Sequence, residues 1–180
     1  MRAERSLTSQ PSPRTVAFAA ATQATLIAYF LVQNHVNLAP WNNLAAAGPQ
    51  LRSTLVGVVP GVGVLTALLI GGPRTRRIAA AWTWVWLSLQ ITQRWVPYLF
   101  DVHPLTQDGG QWYVDGGYDK TVHLIPTEAG RVVPDAQHNV LQLLSLLAAI
   151  MTTRVAATTR VEDRRNAGMR RPSRQRAGAA

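Results

Sequence analysis

Apolar residues gather into four long runs along this chain, over about residues 15–33, 54–72, 78–100 and 136–157, with polar segments between them. A helix needs about 20 apolar residues to cross the hydrocarbon core of a bilayer, so each run is long enough to span. The first is built on alanine, with Gln23 as its one strongly polar interior residue. Ala17, Ala21 and Thr25 fall on one face of it and Ala20, Ala24 and Ala28 on another. Small residues at that spacing let a neighbouring helix come close. The second run carries no charge and places Gly57 and Gly61, a GxxxG pair, around Pro60. Such a pair marks helix–helix packing, and membrane helices tolerate proline because neighbours satisfy the backbone it frees.

The third run begins with Trp82, Trp84 and Trp86 and ends with Trp95, Tyr98 and Phe100, as the aromatic belts at two membrane interfaces do. The fourth is rich in leucine and closes with Arg154. Only the short stretch 72–77 separates the second run from the third, which predicts an antiparallel helical hairpin. A basic leader precedes the first run, as in a secretory signal. That run is longer than a signal core, however, and Ala45 to Ala47 lie too far beyond it, so a retained anchor is expected.

The polar segments read differently from one another. Residues 34–53 carry His35, Pro40, Trp41, Asn42 and Asn43, consistent with a short interfacial helix anchored by Trp41. In 101–135, Gln111 to Val114, then Asp115-Gly116-Gly117, then Tyr118 to Ile125 read as a β-hairpin with a glycine-assisted turn, ended by Pro126. A loop of this length is either functional or disordered, and its aromatics argue for order. Asp135 stands where an N-cap of the last helix belongs, able to accept the free amide of Gln137 or His138. Residues 158–180 are basic, carry Gly168, Pro172 and Gly178, and lack apolar periodicity, which predicts disorder.

Charge orders these segments. Arginines crowd residues 1–14 (Arg2, Arg5, Arg14), the second connection (Arg74, Arg76, Arg77) and the tail from Arg160 onward. The first and third connections hold only Arg52, Lys120 and Arg131, and 101–135 is net acidic. This alternation follows the positive-inside rule for a chain that crosses four times. The fold expected is therefore an all-α integral membrane protein. It has four transmembrane helices within 15–157, both termini cytoplasmic, a β-hairpin in an extracytoplasmic loop at 101–135 and a basic cytoplasmic tail. The net charge of +9 lies next to the apolar runs, where it meets anionic inner-leaflet lipids rather than nucleic acid. The absence of cysteine excludes disulfides, thiol redox chemistry and thiolate-bound metal. Arginine in place of lysine and abundant alanine suggest a bacterial source.

Candidate chemistry gathers at the outward end. His35, His103, His123 and His138 all fall there, yet no HxxxH or HExxH spacing occurs, so no metal site is assigned and no cofactor is named. A bis-histidine haem would need facing histidines on opposed helices, and only His138 sits on one. The stronger signal is Arg94. At 100° per residue Gln90, Gln93, Arg94 and Pro97 share one face of the third helix, while His138, Gln142 and Ser145 share one of the fourth, with Asp135 nearby. Polar side chains at that depth turn toward the bundle, so Arg94 should pair with Asp135, Asp101 or Glu128 and line an outward-opening polar pocket. The competing expectation is that Arg94 snorkels to the headgroups.

Three function classes remain. An accessory or binding protein would use Gln90, Gln93, Arg94, His123, Asp135, His138 and Gln142 toward a lipid, small ligand or partner, with Gly57 and Gly61 as packing residues for self- or hetero-oligomerisation. A membrane-embedded enzyme would use His123, His138, Asp135 and Arg94 as acid–base and anion-holding groups. A transporter subunit fits least, because no acidic residue lies deep in any run. The accessory or binding class ranks first. The chain shows neither the cysteine pair of quinone-linked thiol oxidoreductases nor the first-helix acid of small multidrug transporters.

Overall fold

A computed structural model describes residues 11–48, 50–106, 110–127 and 131–169, with side chains of the last helix described to residue 158. Six α-helices follow in order: α1 (Pro13–His35), α2 (Leu44–Ala47), α3 (Leu51–Ile70), α4 (Pro73–Phe100), α5 (Gln111–Asp115) and α6 (Ala136–Met169). A 3-10 turn, Tyr118–Lys120, follows α5. The four long helices form an antiparallel bundle in which α6 packs on α1 and α4, α1 packs on α3, and α3 and α4 meet at the fewest points. Three of them, Pro13–His35, Leu51–Ile70 and the Ala136–Thr158 part of α6, are long and apolar enough to cross a membrane.

The boundaries have local causes. Ser12 caps α1, its hydroxyl accepting the amide of Thr15, and Pro13 follows at the first helical position, where no amide hydrogen is missed. Pro73 starts α4 in the same way directly after Gly72, so Arg74, Arg76 and Arg77 lie in its first turns and not in a connecting loop. The link from α3 is tight. A Cβ on Gly71 would lie 2.3 Å from the carbonyl oxygen of Ala67. Asn42, almost wholly buried, closes the far end of α1 by donating Nδ2 to the carbonyls of Gln33 and Val36. At its own end α6 does not stop near residue 157. It runs on to Met169, into the stretch expected to be disordered.

The packing falls into layers. Ala19, Val64, Leu68, Ala79, Met151 and Val155 fill the end beside the α3–α4 turn, and Leu26, Phe30, Leu141 and Ala148 fill the middle. Gly57 and Gly61 face α1 within the same chain: a Cβ at Gly57 would lie 2.3 Å from the Phe30 ring, and one at Gly61 would lie 3.1 Å from Ile27. Gln23 donates to the carbonyl of Gly61 at 3.3 Å beside them. The glycine pair is thus used for intramolecular packing. On α1, Ala17, Ala21, Ala24, Thr25 and Ala28 stay exposed.

The β-hairpin expected over residues 111–125 is not formed. Among the described residues there is no strand, only an isolated bridge between His123 and Asp135. A strand would send Trp112 and Tyr113 to opposite faces. One helical turn keeps them on neighbouring faces, so both rings pack on Tyr118, with centroids 5.8 and 6.0 Å away. Gly110 and Gly117, at φ +92° and +66°, make the left-handed bends that enter and leave this turn. Tertiary contact has overridden the local preference of these aromatic residues for a strand. The folded loop forms a cap, with Tyr113, Val132 and Val133 as its own core, held down where Val122 donates to Pro40 and Ala136 donates to Val122.

Candidate functional site

Under the cap, α4 and α6 bring Arg94, Asp135 and His138 together. Arg94 sits on the inner face of α4, nearly two turns before its end, and is 3% exposed. Asp135 precedes α6 and is completely buried. It is the helix cap that its position predicts: its Oδ1 accepts the backbone amide of His138 at 2.8 Å. The same carboxylate holds the His138 ring, with Nδ1 at 2.7 and 2.9 Å from its two oxygens. Arg94 Nη2 lies 2.8 Å from His138 Nε2, and Nη1 lies 3.9 Å from Asp135 Oδ2.

This geometry fixes the tautomer. Arginine has no acceptor atom, so Nε2 must accept from Arg94 and Nδ1–H must donate to Asp135. The arrangement is a neutral imidazole between a cation and an anion. The guanidinium lies between two rings, 4.7 Å from the Trp112 centroid and 4.4 Å from that of Tyr118. Tyr118 also meets His138 edge-on at 5.5 Å. Aromatic faces take the place of hydrogen-bond acceptors around Nε, which has none among the described residues. Burial alone pushes the Asp135 carboxyl up. Its interactions with His138, electrostatic and hydrogen-bonded, together with the Arg94 charge, more than reverse that and hold it below the usual range.

A second polar contact lies within the cap. Tyr113 donates its hydroxyl to the carbonyl of Val133 at 3.1 Å. Its oxygen is 2.6 Å from His123 Nε2, so the histidine donates there, the phenol having a single proton. Burial and the nearby Asp135 charge push the Tyr113 phenol up to about 12, which keeps it a donor at any ordinary pH.

Deeper along the same seam, Trp95 Nε1 donates to Gln142 Oε1 at 2.8 Å and Gln90 Nε2 donates to Ser145 Oγ at 2.9 Å. Gln93 is on the far side of this face, exposed and directed toward α3. Of the residues singled out from the sequence, Arg94, Asp135 and His138 form one cluster, Gln90 and Gln142 continue it, His123 belongs to the cap and Gln93 stands apart. Asp101 is exposed at the end of α4, and Glu128 lies outside the described residues. His35 bonds Thr54 at 2.9 Å, between α1 and α3. No group of three or more His, Cys, Asp or Glu suited to a metal occurs among the described residues.

Two spaces adjoin the cluster. On the α1 side, a cavity of about 20 Å³ is lined by Gln33, Asn34, Asn42, Gln137 and His138 among others, enough for one water. On the α3 side, a recess of about 570 Å³ opens between the start of α3 and the end of α4, lined by residues that include Arg52, Gln90 and Gln93. Chemically, an imidazole oriented by a buried carboxylate is half of a general-base pair. Here its working nitrogen is already bonded to Arg94.

Sequence reasoning missed Trp112 and Tyr118 as the partners of Arg94, and Asn42 as the clasp on α1. The clustering of Trp112, Tyr113 and Tyr118 in a polar loop was the available signal for the first two. No known protein family matches the chain, and comparisons with curated proteins and with solved structures give no match either.

Proposed function

We propose that the protein crosses the membrane four times with both termini cytoplasmic. We further propose that it acts by binding, as an accessory protein that engages a ligand or partner from within the outer half of the bilayer, rather than by catalysis. One observation carries the reading. The polar face of α4 is bonded to α6 through Gln90, Arg94 and Trp95 and left open on its α3 side, where Gln93 and Gln90 line a recess of ligand size. Gln90 bonds Ser145, yet its buried Oε1 has no donor among the described residues.

The fourth crossing is supported by α4 itself. Its 28 residues reach about 42 Å, more than the hydrocarbon core requires. Its mean hydropathy suffers from Gln90, Arg94 and the arginines of its first turns, but Ile78, Trp82, Val85 and Leu89 present one exposed apolar side and Trp84 and Ile91 another. The arginine-rich segments then lie against anionic inner-leaflet lipids.

Because the chain contains no cysteine, topology is open to single-cysteine labelling with an impermeant maleimide on intact cells. Val102→Cys should label from outside and Gly72→Cys only after permeabilisation; the reverse pattern would overturn the orientation. For binding, the intact mass of the full chain in mild detergent should exceed that of the polypeptide or include a second protein. A bare monomer in every detergent that preserves the fold would remove the binding reading.

A further inference from the structure

We infer that the seam between α3 and α4 holds one anionic phospholipid from the outer leaflet, its headgroup at Arg52, Gln90 and Gln93 and one acyl chain laid between the two helices. The inference rests on the four-span binding reading above and names its ligand.

Two unfilled spaces lie one after the other along the seam. At the loop end is the recess of about 570 Å³, with Val56, Trp86 and Leu89 below its polar mouth. One turn further down each helix begins a second space of about 520 Å³, lined by Pro60, Gly63, Ala67, Ile78, Ala79 and Trp82 among others, with almost no polar surface. From Arg52 to Ala67 the two spaces together span about 22 Å of α3. Half the hydrocarbon core is about 15 Å, so a full acyl chain fits along it. A crevice that opens sideways into hydrocarbon is neither watered nor empty. What fills it must be apolar over most of its length and polar at one end.

The mouth specifies that end. Arg52 is exposed on the first turn of α3 and has no partner among the described residues. It is a lone cation in a polar segment with few others, which suits a phosphate. Across the mouth stands Gln93, whose amide is exposed beside Gln90. A hydroxyl next to the phosphate, as on a glycerol headgroup, matches the exposed Gln93 amide, which both donates and accepts. The partner therefore needs an anionic group, a hydroxyl and a chain, and a phosphatidylglycerol-like lipid carries all three. A second helix in the crevice would instead leave Arg52 and Gln93 without matching groups.

The test uses the full chain in mild detergent with an equal mixture of palmitoyl-oleoyl phosphatidylglycerol and palmitoyl-oleoyl phosphatidylcholine, read by native mass spectrometry. One lipid per chain should be retained, the anionic one preferred by about fivefold, the worth of a single arginine at an anionic surface. Arg52→Gln should remove the preference but keep the retention. Gly63→Trp should remove the retention, since a side chain there projects into space where a Cβ meets nothing within 4 Å. Gly63→Ala, too small to block, should retain the lipid and controls for folding. Equal retention of the two lipids, or retention unchanged by Gly63→Trp, would overturn the inference. A protein partner or second copy in place of lipid would overturn it while leaving the binding reading intact. A wild-type chain with nothing bound would overturn both.

Discussion

The two seams that α4 makes with its neighbours are built on opposite terms. Toward α6 it is fastened by a series of side-chain bonds: Arg94 to His138, Trp95 to Gln142, Gln90 to Ser145 and Trp84 to Thr153. Arg94 and Trp95 meet the first turns of α6, Gln90 meets Ser145 beyond them and Trp84 meets Thr153 further still, as one antiparallel register requires. Toward α3, to which a two-residue link joins it, α4 is held where Arg76 donates to the carbonyl of Leu68, and two unfilled spaces are left along the seam. Sequence proximity did not decide which helices pack. In lipid an apolar side chain gains little by exchanging acyl chains for a neighbouring helix, so close fit and hydrogen bonds do the selecting.

The sharpest way to break this contrast is to remove the cation from the fastened seam. Arg94→Ala leaves the Asp135 carboxylate buried with its counter-charge gone and should lower stability by about 3–5 kcal/mol, measured by unfolding in detergent. Arg94→Lys should lose less but still destabilise, because an ammonium cannot stack between Trp112 and Tyr118 as a planar guanidinium does. A wild-type-like melt for the alanine variant would mean that the cluster does not hold the seam.

Acid reaches the same contact without a mutation. The Asp135 carboxyl is held below its ordinary range in the folded protein. A depressed folded value means that its contribution is fully present above the unfolded carboxylate value of about 4, and is lost as pH falls through the folded value. Stability should therefore decline below about pH 4, and this part of the decline should be missing in Asp135→Asn. An acid profile identical in the two proteins would place the charge that matters elsewhere.

Close fit on the α1 side of α3 gives the next effect. Gly57→Ala drives a methyl to within 2.3 Å of the Phe30 ring, which must move against Trp86, its edge-on neighbour at 6.1 Å. The cost should be about 1–3 kcal/mol in the same unfolding measurement. No loss would indicate that α1 and α3 are less tightly packed than their glycines imply.

Much of this was legible in the residues, and the failures are instructive. The positions of the four long helices follow from the four apolar runs, and three of these helices are long and apolar enough to cross a bilayer. Arg94 and His138 were brought to one depth by helical period and opposite chain direction alone, and Asp135 by capping chemistry. The hairpin reading fails because aromatic residues on either side of Asp115-Gly116-Gly117 fit two strands and a turn as well as they fit one helical turn and a bend. What decides is Arg94, distant in sequence, which recruits Trp112 and Tyr118 to its two faces. Likewise, the GxxxG pair announces close approach but not to whom. The open seam left no trace in the sequence, because a crevice depends on where two helices diverge and not on what either contains.

The smallest expected effects bear on that seam. Gln90→Leu removes one bond to Ser145 and should cost only about 0.6 kcal/mol, typical of a hydrogen bond between membrane helices. Gly63→Ala should do less still. It is the same substitution as Gly57→Ala, on the same helix, but its methyl enters open space toward α4. With nothing to displace, the change should lie within about 0.5 kcal/mol of wild type, or slightly stabilise because alanine favours helix over glycine. The two glycines thus measure the two sides of α3 with one ruler. If Gly63→Ala destabilised as much as Gly57→Ala, the space between α3 and α4 would be closed in the membrane, and the contrast between the seams would disappear with it.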